Sequence, residues 1–69
     1  MLDPKVKALR QHYQSIIEMR KAEFQVYLDS PVAVGEHSNL IDTMDDLLGK
    51  IAEADDKLLV LLTHFGEDA

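Results

Sequence analysis

Four acidic side chains in the second half of the chain have the spacing of a metal site. Asp42 and Asp45 are three residues apart, and Glu53 and Asp56 repeat that spacing. Residues three apart lie on one face of an α-helix, so each pair would present two carboxylates together. Carboxylate oxygens are ligands that Mg²⁺ prefers. The pattern is therefore compatible with a divalent-metal-dependent hydrolase.

The remaining residues do not complete such a site. A centre between two helices needs acids from both, and the first half offers only Glu18 and Glu23 in its middle. His12 and His64 would approach each other in an antiparallel hairpin, but a zinc site takes at least three protein ligands. Cysteine is absent, as are phosphate-binding and nucleophile-elbow motifs. We therefore expect no enzyme, no catalytic residue and no cofactor or metal; the fallback ligands are Asp42, Asp45, Glu53 and Asp56.

The acids lie on a segment with a helical apolar pattern. Its apolar residues alternate in gaps of four and three, which is typical of one face of an α-helix. A second line of Ile41, Leu48 and Leu62 runs beside this series, and residues 58–62 are apolar all round. We predict a helix over about 37–65 that stops at Gly66. Its predicted seam is Leu40, Met44, Leu47, Leu48, Ile51, Leu58, Leu61, Leu62 and Phe65.

The first half predicts a second helix of similar length. Asp3 can cap a helix that Pro4 begins, and Pro31 stops it, which gives about 4–29. Arg20 lies where an apolar residue is expected, so we interpret the pattern as a coiled-coil stutter. Arg20 either pairs with Asp46 or Asp55 across an interface, or extends its head to water. The predicted seam is Val6, Leu9, Tyr13, Ile16, Ile17, Phe24, Tyr27 and Leu28.

Together these elements predict an all-α antiparallel two-helix hairpin, a single domain over 1–69 with a loop at about 30–36 and a frayed tail at 66–69. Val32 and Val34 are expected to cover the end of the pair, with His37 or Ser38 as the cap of the second helix. Gly49 is either a close crossing point with a partner helix or a surface glycine. We expect Tyr13 and Phe65 to meet at the open end.

The apolar surface exceeds what two helices can bury. Chains below about 70–80 residues rarely supply enough core alone, and disulfides are excluded here. We therefore predict a homodimer forming a four-helix bundle, with a tetramer as the alternative. Leu59 and Val60 are the foremost predicted contact. The full predicted interface is Ile41, Leu48, Leu59, Val60, Leu62, Phe24 and Leu28.

Charge is unevenly distributed along the chain. The net charge of −6 divides into +1 for residues 1–34 and −7 for residues 35–69. Direct nucleic-acid binding needs a clustered basic face, which this sequence lacks, and no apolar run has the length of a membrane span. Residues 1–10 carry charges where a signal peptide needs an apolar segment, so we expect a cytoplasmic protein. Opposite charge in the two halves favours an antiparallel arrangement of partners.

The run Pro31-Val-Ala-Val-Gly-Glu-His-Ser38, followed by an acidic helix with Ile51-Ala-Glu-Ala54 near its middle, resembles small helical-hairpin proteins of T4-like marine phages. The resemblance covers about residues 31–62. It implies a cytoplasmic protein of an infected bacterium with no assigned activity, and it implies no site residues.

Three functions are compatible with these patterns. The first is a non-enzymatic homo-oligomeric interaction module, such as a phage accessory protein that binds another protein. The second is an acidic inhibitor, or mimic of nucleic-acid charge, acting on a basic partner. The third is the metal-dependent hydrolase that the paired carboxylates suggest. We favour the first, because the surplus apolar surface requires a partner whereas no catalytic constellation is present.

Overall fold

A computed structural model of the chain describes residues 2–30 and 38–66, which form two α-helices and contain no strand. Helix α1 is Pro4–Leu28 and helix α2 is Ser38–Phe65. The helices are antiparallel, because Leu2 at the start of the chain lines one depression with Leu62 and Gly66 at its end. The molecule is a rod of 51 × 15 × 15 Å. The predicted all-helical architecture is confirmed, with both helices within one residue of their predicted bounds.

The ends of the helices follow local chemistry. The Asp3 carboxylate accepts a hydrogen bond from the backbone N–H of Lys5 at 2.7 Å, and Pro4 is the first helical residue. At the other end of α1, the Asp29 N–H donates to the Gln25 carbonyl at 3.0 Å. The predicted loop after Ser30, with Val32, Val34 and His37, and the predicted tail after Gly66 lie outside the described residues.

Gly66 ends α2 for a steric reason. Helix α2 ends before Gly66 as predicted, and among the described residues no glycine has a positive φ. A Cβ at this position would collide with the backbone carbonyl of Leu62. Gly66 therefore provides space for a close turn of the backbone, whereas Gly49 faces open space with no atom within 4 Å of a built Cβ.

The core is a thin strip along the contact of the two helices. Only Leu47 and Ala54 are buried among the described residues, at 5% and 3% exposure, and both belong to α2. In α1 every contact position is half-buried, in an unbroken series with gaps of four and three. The predicted stutter is therefore wrong, since Arg10 and Arg20 occupy ordinary places in this series. The α1 seam is Val6, Arg10, Tyr13, Ile17, Arg20, Phe24 and Tyr27, and the predicted seam residue Ile16 is half-buried beside it.

Several predicted seam residues are exposed in the hairpin. Leu9 and Leu28 of α1 and Leu48, Leu62 and Phe65 of α2 all lie outside the buried strip. Two helices in contact bury one stripe each, so residues on the flanks of that stripe stay in water. Neither helix, within residues 2–30 and 38–66, is long and apolar enough to cross a bilayer.

Candidate interaction surface

The paired carboxylates do not converge on a metal site. The pairs Asp42–Asp45 and Glu53–Asp56 are eleven residues apart on one helix, which separates them by about 16 Å at a rise of 1.5 Å per residue. All four side chains are exposed. Within residues 2–30 and 38–66, no group of three or more acidic, histidine or cysteine side chains is arranged to hold a metal ion.

The acids of α1 are engaged with cations of their own helix. Glu23 pairs with Arg20, and Glu18 lies 3.6 Å from the Lys21 ammonium. These contacts are between residues three apart, so they lie along α1 and do not face the acids of α2. Glu18 and Glu23 thus do not supply the facing ligands that a two-helix metal centre needs.

One side of the hairpin carries a small polar groove. Tyr13, Ile16 and Arg20 of α1 line it together with Lys50, Glu53, Ala54 and Lys57 of α2, around a volume of about 180 Å³. The Lys57 ammonium is 2.9 Å from a Glu53 carboxylate oxygen. This hydrogen bond and the Glu53 charge raise the pKa of Lys57, with a small further contribution from Tyr13. We refer to this groove, and to the side of the hairpin that carries it, as the polar groove.

Arg20 takes a place in the seam but does not bridge the helices. Its guanidinium pairs with Glu23 and not with the predicted mates Asp46 or Asp55. The Nε–H is buried without a hydrogen-bond partner, while about a third of the side chain stays exposed (31%). The stem therefore covers apolar surface and the head reaches the polar groove, which is the second of the two alternatives that the sequence left open.

The opposite side of α2 carries a second apolar series. Leu48 is 51% exposed and Leu59 is 65% exposed, and Ile41 and Leu62 are exposed beside them. These residues follow the buried series by one position, so they form a line about 100° around the helix from the core. We call this line the α2 stripe; its members, at gaps of four and three, are Ile41, Asp45, Leu48, Ala52, Asp55, Leu59 and Leu62.

The adjacent flank of α1 does not cover the α2 stripe. Arg10 lines a depression with Leu62 and Gly66, which locates this flank of α1 beside the stripe. Its exposed members are mostly polar and carry two lysines and one acid, namely Lys7, Gln11, Gln14, Glu18, Lys21 and Gln25, with Leu28 at the end. The hairpin thus has a polar groove on one side and, on the other, a line of exposed leucines beside a basic flank.

The predicted contact Leu59–Val60 is divided between the two sides. Val60 lines a depression with Tyr13, Lys57 and Phe65, on the same side as the polar groove. Leu59 is one residue earlier and lies on the α2 stripe. Tyr13 and Phe65 share that depression as predicted, but their rings pack with the neighbouring His12 and His64 at 5.4 and 6.3 Å between centroids.

Comparisons with family profiles, curated protein sequences and solved structures give no match for this chain. The resemblance to phage hairpin proteins therefore stays a prediction. The functional argument depends on the surface just described.

Proposed function

We propose that this chain is a non-enzymatic helical interaction module that functions as a homodimer, with two hairpins sharing one core in a four-helix bundle. In this role it presents a rigid acidic surface to a second protein. The phage setting and a cytoplasmic location belong to this proposal as well. Its support comes from the amount and position of apolar surface that the single hairpin exposes.

The exposed area is the single observation that carries the proposal. The chain exposes 5309 Å², whereas a compact monomer of 7.8 kDa exposes about 4,400 Å². The excess of about 900 Å² is close to the roughly 800 Å² that each partner buries in a standard protein interface. A second copy is the simplest source of matching cover, because dimers with two-fold symmetry are the commonest assemblies.

The kind of residue exposed supports the same conclusion. Within the part of the chain that the structure describes, ten large apolar side chains are exposed, and six of them belong to α2. Burying one such side chain is worth roughly 1.5–3 kcal/mol, against a typical net stability of about 5–15 kcal/mol for a whole domain. Since Leu47 and Ala54 alone are buried among residues 2–30 and 39–66 of the single hairpin, association supplies a large share of the stability.

The test is the mass of the full chain in solution by light scattering after size exclusion, across a wide range of concentration. Wild type is expected at twice 7.8 kDa. Leu59→Asp should raise the dimer Kd at least tenfold, because each dimer loses two buried leucines.

Val26→Asp is the matched control. Val26 is exposed to the same degree as Leu59, at 68% against 65%, but it lies in α1 away from the core and the α2 stripe. Its dimer Kd should stay within about twofold of wild type. A wild-type chain that stays monomeric and melts cooperatively contradicts the proposal, as does equal weakening by both variants. Circular dichroism verifies that each variant remains helical.

A further inference from the structure

We infer that two copies pair antiparallel through the α2 stripe, with Leu48 of one copy against the partner's Leu59 and Asp45 beside the basic start of the partner's α1. This inference rests on the dimer proposed above and adds the surface, the direction and the electrostatic contact. Three observations lead to it: the composition of the stripe, the composition of the flank beside it, and the register of the hairpin.

The stripe is the longest line of exposed large apolar residues on the described helices, and a second copy of it offers matching residues. Its spacing of four and three is that of a coiled-coil seam. The basic flank of α1 is polar, and the polar groove carries Arg20, Lys50 and Lys57. Packing the stripe on either of those surfaces would cover charged groups and leave Leu48 and Leu59 without an apolar partner, whereas the stripe paired with itself sets leucine against leucine. The complementary surface is therefore the same stripe on a second copy, which is the self-complementary contact of a two-fold dimer.

Two acids within the stripe select the direction. A parallel arrangement places Asp45 directly opposite the partner's Asp45, and Asp55 opposite the partner's Asp55. Like charges facing each other across an interface are unfavourable. An antiparallel arrangement centred between residues 53 and 54 instead places Asp55 against the small side chain of the partner's Ala52. In that register Leu48 meets the partner's Leu59 twice, once on each side of the two-fold axis.

The register of the hairpin then places opposite charges together. Tyr13 lies at the level of Lys57 and Arg20 at the level of Lys50, so the level of Asp45 in its own hairpin is near Gln25. In the antiparallel dimer, the α1 residues at the same height along the bundle as Asp45 are the partner's Lys7 and the partner's Arg10. Asp45 and Lys7 are both exposed in the single hairpin. Because association covers part of Asp45, the partner's Lys7 offsets the cost of desolvating its carboxylate.

The direction is tested with spin labels on single cysteines, since the chain has none of its own. Asp42→Cys and Asp56→Cys are both exposed and lie outside the stripe. In the antiparallel dimer the two labels at position 42 are about 35 Å apart along the bundle, and those at position 56 within about 10 Å, at a rise of 1.5 Å per residue. Similar distances at both positions overturn the inference.

The electrostatic contact is tested by charge reversal. Asp45→Lys and Lys7→Glu should each raise the dimer Kd by about tenfold, since an exposed ion pair is worth a few-fold and is made twice per dimer. The double variant should restore the affinity to near that of wild type. Asp56→Lys, on the outer face of α2, is the control and should change the Kd less than twofold.

The outcomes separate this inference from the dimer itself. A monomeric wild type overturns both. A dimer with similar label distances at positions 42 and 56, or without recovery in the double variant, overturns only the pairing inferred here. Measuring the mass and the helical content of each labelled or charge-reversed chain keeps these outcomes distinct from a failure to fold.

Discussion

Helices α1 and α2 have 25 and 28 residues and place contact residues at the same spacing, yet of the two only α2 contributes buried residues. The difference lies in what occupies the positions. Two of the seven α1 seam positions are arginines, whereas the α2 seam is apolar throughout and has a second apolar line beside it. The contact face of α1 is thus interrupted by charge, whereas that of α2 is continuous and apolar.

The comparison shows that spacing alone does not determine how a helix is used. An arginine in a seam covers its neighbour with its stem but keeps its head in water. Such a residue limits the apolar area that the helix can bury at that position. The leucines of the α2 stripe have no polar head to solvate, so they indicate a further contact. Four predictions test this contrast between the helices.

The largest expected effect is at the centre of the α2 seam. Leu47→Ala removes a side chain that is only 5% exposed, and such truncations cost about 2–5 kcal/mol of unfolding free energy. Ile17→Ala removes a half-buried residue of α1 and should cost about half as much. Urea unfolding followed by circular dichroism at fixed protein concentration measures both. Equal losses would contradict the asymmetry between the helices.

Making α1 more like α2 gives the second prediction. Arg20→Leu removes a buried Nε–H that lacks a partner, and it leaves Glu23 in an exposed position. Because an unsatisfied buried donor is costly and a buried leucine is favourable, we expect stability to rise by up to about 1 kcal/mol.

Lys21→Leu is the control for that substitution. Lys21 is exposed and makes a contact only with Glu18 of the same helix, so its replacement should change the unfolding free energy by less than about 0.5 kcal/mol. A loss of stability in the Arg20→Leu chain would show that the guanidinium holds the seam through its charge.

The outer face of α2 gives the third prediction. Gly49→Ala places a methyl group in open space within a helix, and alanine is favoured there by about 0.8–1 kcal/mol. We expect stability to rise by that amount with no change in the dimer Kd. Gly66→Ala is the matched opposite, because its Cβ collides with the Leu62 carbonyl and stability should fall. A weaker dimer in Gly49→Ala would place this face in a contact.

The smallest expected effect concerns the ion pair of the polar groove. The hydrogen bond from Lys57 to Glu53 raises the pKa of Lys57 above its ordinary value of 10.5. The pair therefore contributes its stability fully below pH 10.5 and loses it as the pH rises through the pKa of the folded chain. An NMR titration of the Lys57 side chain should show its midpoint fall in the Glu53→Gln variant. An unchanged midpoint would show that solvent screens the pair.

The helices were predictable from sequence because their ends depend on local chemistry. Asp3 with Pro4 begins α1, and Ser30 before Pro31 lies just past its end, so both signals are contained in a few adjacent residues. The apolar spacing of α2 likewise identifies its buried series without knowledge of α1. In these cases the residues that cause the structure are neighbours in the sequence, so the pattern can be read directly.

The features that sequence did not reveal depend on long-range arrangement. Arg10 and Arg20 were not recognised as regular seam residues, because arginine is classed as polar although its side-chain stem is apolar. The gaps of four and three around Arg20 were the available signal. Leu59 and Val60 are adjacent in an apolar run, and nothing local shows that Leu59 faces the α2 stripe whereas Val60 faces the polar groove. Only the register of the two helices decides which side each residue faces.

The two buried residues are seven positions apart in the middle of α2, and this has a consequence for how the rod opens. Backbone amides exchange with solvent water through local openings, which cost least where few side chains hold the backbone. Exchange should therefore be fastest at the tips of both helices and slowest around residues 47–54. The middle of the hairpin is therefore its most stable part, and local unfolding begins at the ends of the helices.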